Sequence, residues 1–534
     1  MLQDENIRPH PDDNVGRGVL ESKAYTQKRD WTWRTRAMTR LLITTLPRTA
    51  YFLIPSVIQD RLSHDPRART NTTIVRPGPT AYLDGMRGLA ALFVFFCHLA
   101  YTSFMVATGW QPGQRGFHLL RLPFIRLFFS GPPMVCIFFV ISGYALSLKP
   151  LKQLRARNTE GFAASISSLT FRRAFRLFLP CAASLFGVLV LSRLGLYDWT
   201  REFAYDKRYM RNYAEPHYQQ PDSLLVQLGS WVNQIFYTVQ VWDWRIYSGT
   251  TEFDLHLWTI AVEFRCSMAL FLTLVGTARL RTGVRFAVVG GLSVWAWFWA
   301  RWDMLLFWAG MLLAEWDIIR GARNTSSSTI SNPGPSSTDI LPSSSPKLSP
   351  SAYPPTTTPS SSTTSKRTRL KYLLLHLLSL FLLSQPDAPS TPQRETAFGW
   401  SLLTALIPRW WQADSHRYYQ SLGAILFVFC VSNSPSRWWQ RRVFNTAFVQ
   451  YLGRVSFALY LVHGPVLHTF GYGVERAVWG AMGTEGWRFA GGFAVAGVVV
   501  VPVTLGVADA FWRGVDRPVV RFGRWVEGKC IAGE

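Results

Sequence analysis

The chain has 534 residues, of which 48% are hydrophobic and 16% charged, below the roughly 25% charged residues of an average soluble domain. Its net charge of +24 lies mainly at the ends of apolar blocks, a pattern typical of membrane flanks rather than a nucleic-acid surface. The six cysteines show no paired spacing, so neither a disulfide framework nor a cysteine zinc site is indicated. These features predict an all-α, polytopic membrane protein that resides in a lipid bilayer and binds no nucleic acid.

The amino-terminal segment, residues 1–80, is predicted to be cytosolic. It begins with polar and acidic residues and does not resemble a signal peptide. Residues 41–58 are moderately apolar but interrupted by Pro47, Arg48 and Pro55, which favours an interfacial segment over a membrane span.

Ten apolar blocks follow, and a membrane-spanning helix needs about 20 mostly apolar residues. The blocks near Leu378 and Phe427 are the shortest. The positions of basic clusters between the blocks predict that both termini are cytosolic. The expected location is an endomembrane or the plasma membrane. The approximate centres of the blocks are Phe96, Ile141, Val188, Met268, Leu292, Ala309, Leu378, Phe427, Leu461 and Val499.

A transmembrane domain is therefore predicted over residues 81–520, followed by a cytosolic tail at 521–534. Within the domain, residues 324–365 are dominated by Ser, Thr and Pro, a composition that predicts a disordered cytosolic loop. The glycosylation sequons at Asn71 and Asn324 fall on the predicted cytosolic side, so we expect both to be unused.

The first apolar block, YLDGMRGLAALFVFFCHLAYTSF, carries one stripe of polar residues. Arg87 and His98 are eleven positions apart, within ~20° of each other on a helix and ~16 Å apart along its axis. Asp84 and Thr102 extend the stripe. A helix cap and an interface anchor would explain Asp84 and Arg87 equally well. His98, near the predicted membrane middle, is either hydrogen-bonded to another helix or functional, and ionisable groups at that depth are usually functional.

The second stretch of interest is FDLHLWTIAVEFRCSMALFL, residues 253–272. If it is one helix, His256 and Glu263 share a face, with Thr259 between them. A carboxylate in an apolar helix needs a partner, and a histidine is chemically suitable. The alternative is a structural ion pair between Glu263 and Arg265 or an arginine elsewhere.

Two further stretches allow both a structural and a functional interpretation. Arg172, Arg173 and Arg176 precede the third block, where they anchor the helix at the interface or clamp a phosphate. In GRVSFALYLVHGPVLHTF, one helix face carries Ser456, Tyr460 and His463, as a packed stripe or as part of a site. The spacing of His217 and Asp222 in HYQQPD, in a polar loop, matches a glycerol-phosphate acyltransferase motif only by chance.

Together these motifs resemble the membrane acyltransferase-3 family, in the family's order and over about residues 80–520. The resemblance implies transfer of an acyl group, commonly acetyl from acetyl-CoA, to a hydroxyl. It also implies a catalytic role for His98 and CoA binding by the matching arginines. The departures are the Ser/Thr/Pro insert, the longer amino terminus, and FRC in place of an aromatic run after Glu263. The matching motifs are LDGMRGLAALFVFFCH, FFVISGYALS, the cluster 172–176, WTIAVEF and GRVSFALYLVH.

The resemblance gives the candidate residues definite roles. We expect His98 to act as a general base and Glu263, alone or with His256, to orient it or to polarise the acceptor. Asp84 marks the CoA end of its helix, and Tyr144 and His463 are expected to line the pocket. The expected CoA-binding residues are Arg87, Arg172, Arg173 and Arg176.

Acyl-CoA is expected as a co-substrate, with no bound cofactor or metal. The acceptor is a hydroxyl of a carbohydrate, a lipid or a secondary metabolite, and both direct transfer and an acyl-histidine intermediate remain open. The alternative class is a proton-coupled transporter whose intramembrane His and Glu line a path. The absence of an internal repeat in the sequence argues against it. An inactive relative serving as a membrane scaffold is the third possibility.

Overall fold

The computed structural model describes residues 54–56, 58–59, 78–110, 118–242, 252–330, 366–387, 397 and 399–531. Every regular element within these residues is helical, which confirms the all-α fold class. The elements named below all lie within Pro77–Glu534. The predicted interfacial segment lies largely outside the described residues, and the sequon at Asn71 lies wholly outside them.

The longer helices are numbered here in chain order. The first seven are α1 Ala81–Tyr101, α2 Gly131–Arg155, α3 Thr159–Arg193, α4 Leu196–Tyr205, α5 Leu224–Val239, α6 Trp258–Gly276 and α7 Thr282–Phe298. The next seven are α8 Trp302–Ile330, α9 Lys366–Leu383, α10 Tyr418–Asn433, α11 Ala447–Val466, α12 Tyr472–Met482, α13 Trp487–Phe511 and α14 Arg517–Cys530.

Shorter helical segments join several of these helices. Two are short α-helices, His118–Arg121 and Ser401–Ala405. The 3₁₀ segments are Ile125–Phe129, Leu255–Leu257 and Arg409–Arg417. The π-helical segments are Gln440–Phe444, Leu467–Gly471 and Trp512–Asp516. Single π turns in proteins are frequently found at functional sites.

Among the described residues, five helical stretches are long and apolar enough to cross a membrane: α1, α2, α3, Leu255–Gly276 and Trp487–Cys530. A helix passes through each of the ten predicted centres, but the number of ten spans and the sides of the termini are not confirmed. Helix α8 extends to Ile330, so the first residues of the predicted loop 324–365 are helical, and residues 331–365 lie outside the described part.

Glycines allow several pairs of helices to approach each other closely. A Cβ added to Gly88 of α1 would lie 2.3 Å from the backbone nitrogen of Gly453 in α11. One added to Gly453 would lie 2.5 Å from the carbonyl oxygen of Asp84. Helices α2 and α8 meet in the same way, since a Cβ on Gly143 would lie 2.2 Å from the Phe307 carbonyl oxygen. Small residues allow such backbone contact between membrane helices.

Helices α1 and α6 occupy the centre of the bundle. Each contributes to the large apolar cluster formed with α2, α7, α8 and α10, and to a second cluster formed with α3 and α11. A polar residue on the buried face of either helix must find its hydrogen-bond partners among the neighbouring helices and loops.

Candidate functional site

Three histidines from three elements converge at one point in the bundle. His98 lies in the last turn of α1, His256 in the 3₁₀ turn before α6, and His463 in α11. The ring centroids of His98 and His256 are 4.1 Å apart, those of His98 and His463 5.1 Å, and those of His256 and His463 4.8 Å. The structure thus brings together three of the residues that the sequence singled out.

A buried carboxylate, Glu215, connects this cluster to a fourth histidine. Its Oε1 accepts a hydrogen bond from His256 Nε2 at 3.0 Å and lies 3.9 Å from His98 Nδ1. Its Oε2 accepts one from His468 Nε2 at 2.9 Å. Burial opposes the charge of this carboxyl, but the contacts with His256 and His468 hold the pKa of Glu215 well below its usual value. The side chain is therefore an ionised carboxylate.

The loop that carries Glu215 is fixed to the end of α1 by backbone hydrogen bonds. The amides of Asn212 and Tyr213 both donate to the Thr102 carbonyl, at 3.0 and 3.1 Å. The Asn212 side chain also donates to the Tyr101 carbonyl at 2.6 Å. Because α1 ends at Tyr101, His98 lies in the last turn of the helix and not near the middle of the helix.

His256 is held between two carboxylates. Its Nδ1 lies 2.6 Å from Asp254 Oδ1, which also accepts from the His256 backbone amide at 2.9 Å, and its Nε2 faces Glu215. The Tyr460 hydroxyl donates to the His256 carbonyl. Since His256 precedes α6, it does not share a helical face with Glu263, and the sequence argument for that pair fails.

Gly464 makes room for this arrangement. A Cβ at position 464 would lie 2.7 Å from His256 Nδ1 and 3.0 Å from both carboxylate oxygens of Asp254. The next residue, Pro465, cannot donate a backbone hydrogen bond, and the π segment Leu467–Gly471 follows it. This irregular end of α11 carries His468 to Glu215.

The fourth histidine, His468, is hydrogen-bonded in turn to His217, in the loop that follows α4. His217 Nε2 lies 2.7 Å from the Tyr197 carbonyl and therefore donates to it, so its Nδ1 accepts from His468 Nδ1 at 3.0 Å. His217, set aside on sequence grounds, thus belongs to the network. Asp222 of the same motif instead uses its backbone carbonyl to accept from Arg193. Nothing in the sequence marked Glu215 or His468.

The hydrogen-bond pattern separates the histidines into two kinds. His256 and His468 donate from both ring nitrogens, so neither has a lone pair free to accept a proton. His463 donates only from Nδ1, to the Tyr460 carbonyl at 2.7 Å. His463 Nε2 and His98 Nδ1 are buried and have no hydrogen-bond partner. His98 and His463 are therefore the two residues that can serve as bases.

The predicted acid Glu263 belongs to a different group. Its Oε1 accepts hydrogen bonds from Arg173 at 2.6 Å and from Ser142 at 3.2 Å. Arg87 pairs with Asp84 at 3.1 Å and donates from Nε to Ser456 at 3.1 Å. The ion-pair alternative raised for Glu263 is thus the one seen, with Arg173 rather than Arg265 as its partner.

The remaining predicted residues, Arg172, Arg176 and Tyr144, are not part of the histidine cluster. Arg176 is exposed and lies within electrostatic range of Arg87 and Arg173. Arg172 pairs with Glu527 of α14 at 3.0 Å. Tyr144 is not part of the histidine cluster, because its hydroxyl donates to Asp317 at 3.0 Å on another side of the bundle.

The three clustered histidines also have the composition of a metal site. One ring nitrogen from each of His98, His256 and His463 lies within 4.8 Å of the others. Neutral imidazole is a common ligand of zinc, and the Asp254 contact to His256 resembles the outer-shell partner that metal-binding histidines usually have. In the arrangement described, however, both ring nitrogens of His256 are already bonded to carboxylates, Nδ1 to Asp254 and Nε2 to Glu215.

The histidine and carboxylate cluster thus lies among helices of which several are long and apolar enough to cross a membrane. The acyltransferase domain profile matches residues 80–513, so the chain belongs to the acyltransferase-3 family and the resemblance is confirmed. The chain is 30% identical to O-acetyltransferase PaAT-1 of Phomopsis amygdali over 471 residues, 85% of this chain and 86% of that protein.

Two other fungal relatives cover most of the chain. Acyltransferase R4 of Phoma sp. (strain ATCC 20986 / MF5453) is 28% identical, over 83% of this chain and 94% of its own length. Acyltransferase clz18 of Cochliobolus lunatus is 27% identical, over 82% and 94%. No solved structure matches the chain.

Proposed function

We propose that this protein is a multi-pass membrane O-acyltransferase that moves an acyl group from acyl-CoA to a hydroxyl of a carbohydrate, lipid or secondary metabolite. The observation that carries the proposal is the convergence of His98, His256 and His463 beside Glu215 in a chain of the acyltransferase-3 family. The printed name of the Phomopsis amygdali relative, an O-acetyltransferase, favours acetyl as the group and oxygen as the acceptor atom.

His98 is the proposed general base. Its side chain is 24% exposed, whereas His463 is only 1% exposed, so His98 is the more accessible of the two possible bases. With its Nδ1 proton directed at Glu215, its Nε2 carries a lone pair for the acceptor hydroxyl. The carboxylate then stabilises the imidazolium that forms, as carboxylates do beside catalytic histidines. Transfer of the acceptor proton in this way contributes about 10²–10⁴-fold to the rate.

The proposed reaction is a direct transfer. His98 takes the proton of the acceptor hydroxyl while the oxygen attacks the thioester carbonyl carbon. The carbon–sulfur bond then breaks, and the departing CoA thiolate takes the proton from His98, which leaves an ester and free CoA. His256 and His468 hold Glu215 in place and do not exchange protons with substrate in this scheme.

The arginine group at the other end of α1 is the proposed place for the phosphates of acyl-CoA. Arg176 is exposed, and Arg87 and Arg173 are held in place by Asp84 and Glu263. Guanidinium groups suit phosphate because their donors match its oxygens. Glu263 is thus assigned as a positioning residue for Arg173 rather than as a catalytic acid. Arg172, paired with Glu527, plays a lesser part.

The proposal is tested with membranes that carry the wild type or His98→Ala at matched abundance. Labelled acetyl-CoA is supplied with a panel of glycan, sterol and secondary-metabolite acceptors, and extracted products are analysed by mass. Label on a product from the wild type alone supports the proposal and identifies the acceptor. His376→Gln is the matched control, since this buried histidine lies on α9 and bonds to the Tyr372 carbonyl.

Two results would contradict parts of the proposal. Equal transfer by wild type and His98→Ala would exclude His98 as the base. Failure of the wild type with every acceptor and with longer acyl donors, together with solute uptake that needs no CoA, would favour the transporter class. Label retained on the protein after a brief reaction would replace direct transfer by an acyl-histidine intermediate.

A further inference from the structure

A second site lies at the beginning of α1, remote from the histidines. A cavity of about 530 Å³ is bounded by Tyr82 of α1, by α2, by α8 and by residues 432–445. Tyr82 precedes His98 by sixteen positions, ~24 Å along the helix. The volume lies within the range of about 300–1,000 Å³ typical of small-molecule sites.

The floor of this cavity is a polar network, in which the buried Oδ1 of Asp317 has no hydrogen-bond partner among the described residues. Tyr82 and Ser432 share a hydrogen bond of 2.8 Å between their hydroxyls, and Tyr144 donates to Asp317 at 3.0 Å. Arg320 donates to the Ser432 carbonyl at 3.2 Å and lies 3.7 Å from Asp317. The charges of Arg320 and Asp317 therefore balance each other, and the floor has no excess charge.

The rim, in contrast, is positive and uncompensated. Lys152, Arg437 and Arg441 line the cavity and form no side-chain hydrogen bond or ion pair with any described residue. Arg437 adopts a left-handed backbone conformation with φ of 47°, which is unfavourable for a residue other than glycine. The buried Oδ1 of Asn445, also in the lining, has no hydrogen-bond partner. The cavity thus offers to a ligand three cations and, at Asn445 Oδ1, a hydrogen-bond acceptor.

We infer that this cavity binds a phosphate-bearing ligand about the size of a nucleotide or a phosphorylated lipid headgroup. Arginine and lysine recognise phosphate through strong charge-assisted hydrogen bonds. Basic residues that only flank membrane helices would explain the charge of the rim. They would not explain a cavity in which two buried acceptors, Asp317 Oδ1 and Asn445 Oδ1, have no hydrogen-bond partner in the described part of the chain, whereas the hydroxyl or amino groups of such a ligand would donate to them.

Two kinds of molecule carry a phosphate group of this size and are candidates for the ligand. One is the nucleotide portion of the acyl donor, which would then bind in this cavity and not at Arg87, Arg173 and Arg176; that source rests on the proposed function. The other is an anionic lipid of the surrounding membrane. Direct binding measurements distinguish them without any acyl transfer, so a failed binding test and a failed activity test remain separate results.

The test measures binding of adenosine 3′,5′-bisphosphate to the purified full-length protein by calorimetry. In parallel, the protein is placed in nanodiscs of phosphatidylcholine with or without phosphatidylinositol 4-phosphate, and retained lipid is measured by mass spectrometry. The variant is Lys152→Gln, Arg437→Gln and Arg441→Gln combined. Its matched control is Arg155→Gln, Arg157→Gln and Arg442→Gln, which removes equal charge from exposed neighbouring residues outside the cavity lining.

Tight binding of either probe by the wild type and the control, with at least roughly a 10-fold loss in the cavity variant, supports the inference. Binding of the bisphosphate identifies the nucleotide source, and retention of only the lipid identifies the membrane source. Absence of binding of both probes overturns the inference. So does an equal loss in the cavity variant and the control, because general surface charge would then explain the binding.

Discussion

Glu215 Oε1 and His256 Nε2 are joined by a hydrogen bond of 3.0 Å, although 41 residues separate them in the sequence. Asp254 holds the other ring nitrogen of His256, so the imidazole cannot turn away from Glu215. His468 holds the second oxygen of the same carboxylate. The result is a buried negative charge that is fixed from two sides and lies 3.9 Å from His98 Nδ1.

The first prediction compares the two candidate acids. Glu215→Gln removes the charge that would stabilise protonated His98, so we expect kcat to fall on the order of 10²-fold. Glu263→Gln weakens only the ion pair with Arg173, so we expect mainly a higher KM for acyl-CoA. Steady-state kinetics with varied acyl-CoA separate these effects. A larger kcat loss in Glu263→Gln than in Glu215→Gln would return the catalytic role to Glu263.

The second prediction ranks the two possible bases. His98→Ala should lower kcat about 10²–10⁴-fold with little change in KM for the donor, because the base acts in the chemical step. His463→Gln should have a smaller effect, since His463 is almost fully buried. Its ring centroid lies 5.1 Å from that of His98. Single-turnover rates of both variants check the order. The reverse order would make His463 the base.

The third prediction concerns Gly464. Alanine at this position would place its Cβ 2.7 Å from His256 Nδ1, so the pair of His256 and Asp254 must shift. A displacement of about 1 Å at a catalytic group can lower the rate 10²-fold, and we expect a loss of that order. Gly290→Ala on α7 is the control, because its Cβ would meet nothing within 4 Å. Equal activity of Gly464→Ala and wild type would show that the pair need not be fixed.

The fourth prediction is a pH dependence of stability from His217, which lies outside the candidate spans. Burial, followed by the neighbouring His468, lowers the pKa of His217 to about 4. The unfolded chain protonates this residue near pH 6.5. Between those values the unfolded state binds more protons, so the free energy of unfolding should decrease as pH falls through that window.

Thermal melting of the detergent-solubilised protein across this pH range measures that dependence. His217→Asn, which cannot take up a proton, should melt with a weaker pH dependence than wild type. Gly290→Ala, which changes no titratable group and whose Cβ would meet nothing within 4 Å, should retain the dependence of wild type. Superimposable pH profiles for wild type and His217→Asn would contradict the prediction.

The fifth prediction concerns metal dependence. Because His256 donates from both nitrogens to carboxylates and His463 donates to a backbone carbonyl, the proposed reaction needs no metal ion. We expect full activity after treatment with a strong zinc chelator, and far less than one zinc per chain by elemental analysis. Stoichiometric zinc that leaves together with activity would instead assign His98, His256 and His463 as ligands.

The all-α class could be predicted because long apolar blocks between basic clusters allow few other folds. His98, His256 and His463 could be found for a related reason: an ionisable residue stands out within an apolar run. Glu215 could not be found this way, since it lies in a polar loop where another carboxylate attracts no notice. The position of that loop beside α1 becomes visible in the structure, where the amides of Asn212 and Tyr213 donate to the Thr102 carbonyl.

The other differences follow from helix irregularity. The face shared by His256 and Glu263 presumed one continuous helix, but Asp254 accepts the His256 amide and closes a 3₁₀ turn before α6. His468 was missed because a π segment follows Pro465 and changes which side chains lie on one face. Periodicity arguments hold only where the backbone keeps 3.6 residues per turn.

The contact between Gly88 and Gly453 has a consequence for how the reaction centre is assembled. His98 lies ten residues after Gly88, and His463 lies ten residues after Gly453. The two helices run side by side in the same direction from that contact. Each histidine therefore lies the same distance along its helix from the contact, ~15 Å. Inserting one residue between Gly88 and His98, or between Gly453 and His463, would turn that imidazole by about 100° and advance it by about 1.5 Å. The number of residues between the glycine contact and each histidine therefore determines whether the two imidazoles lie side by side.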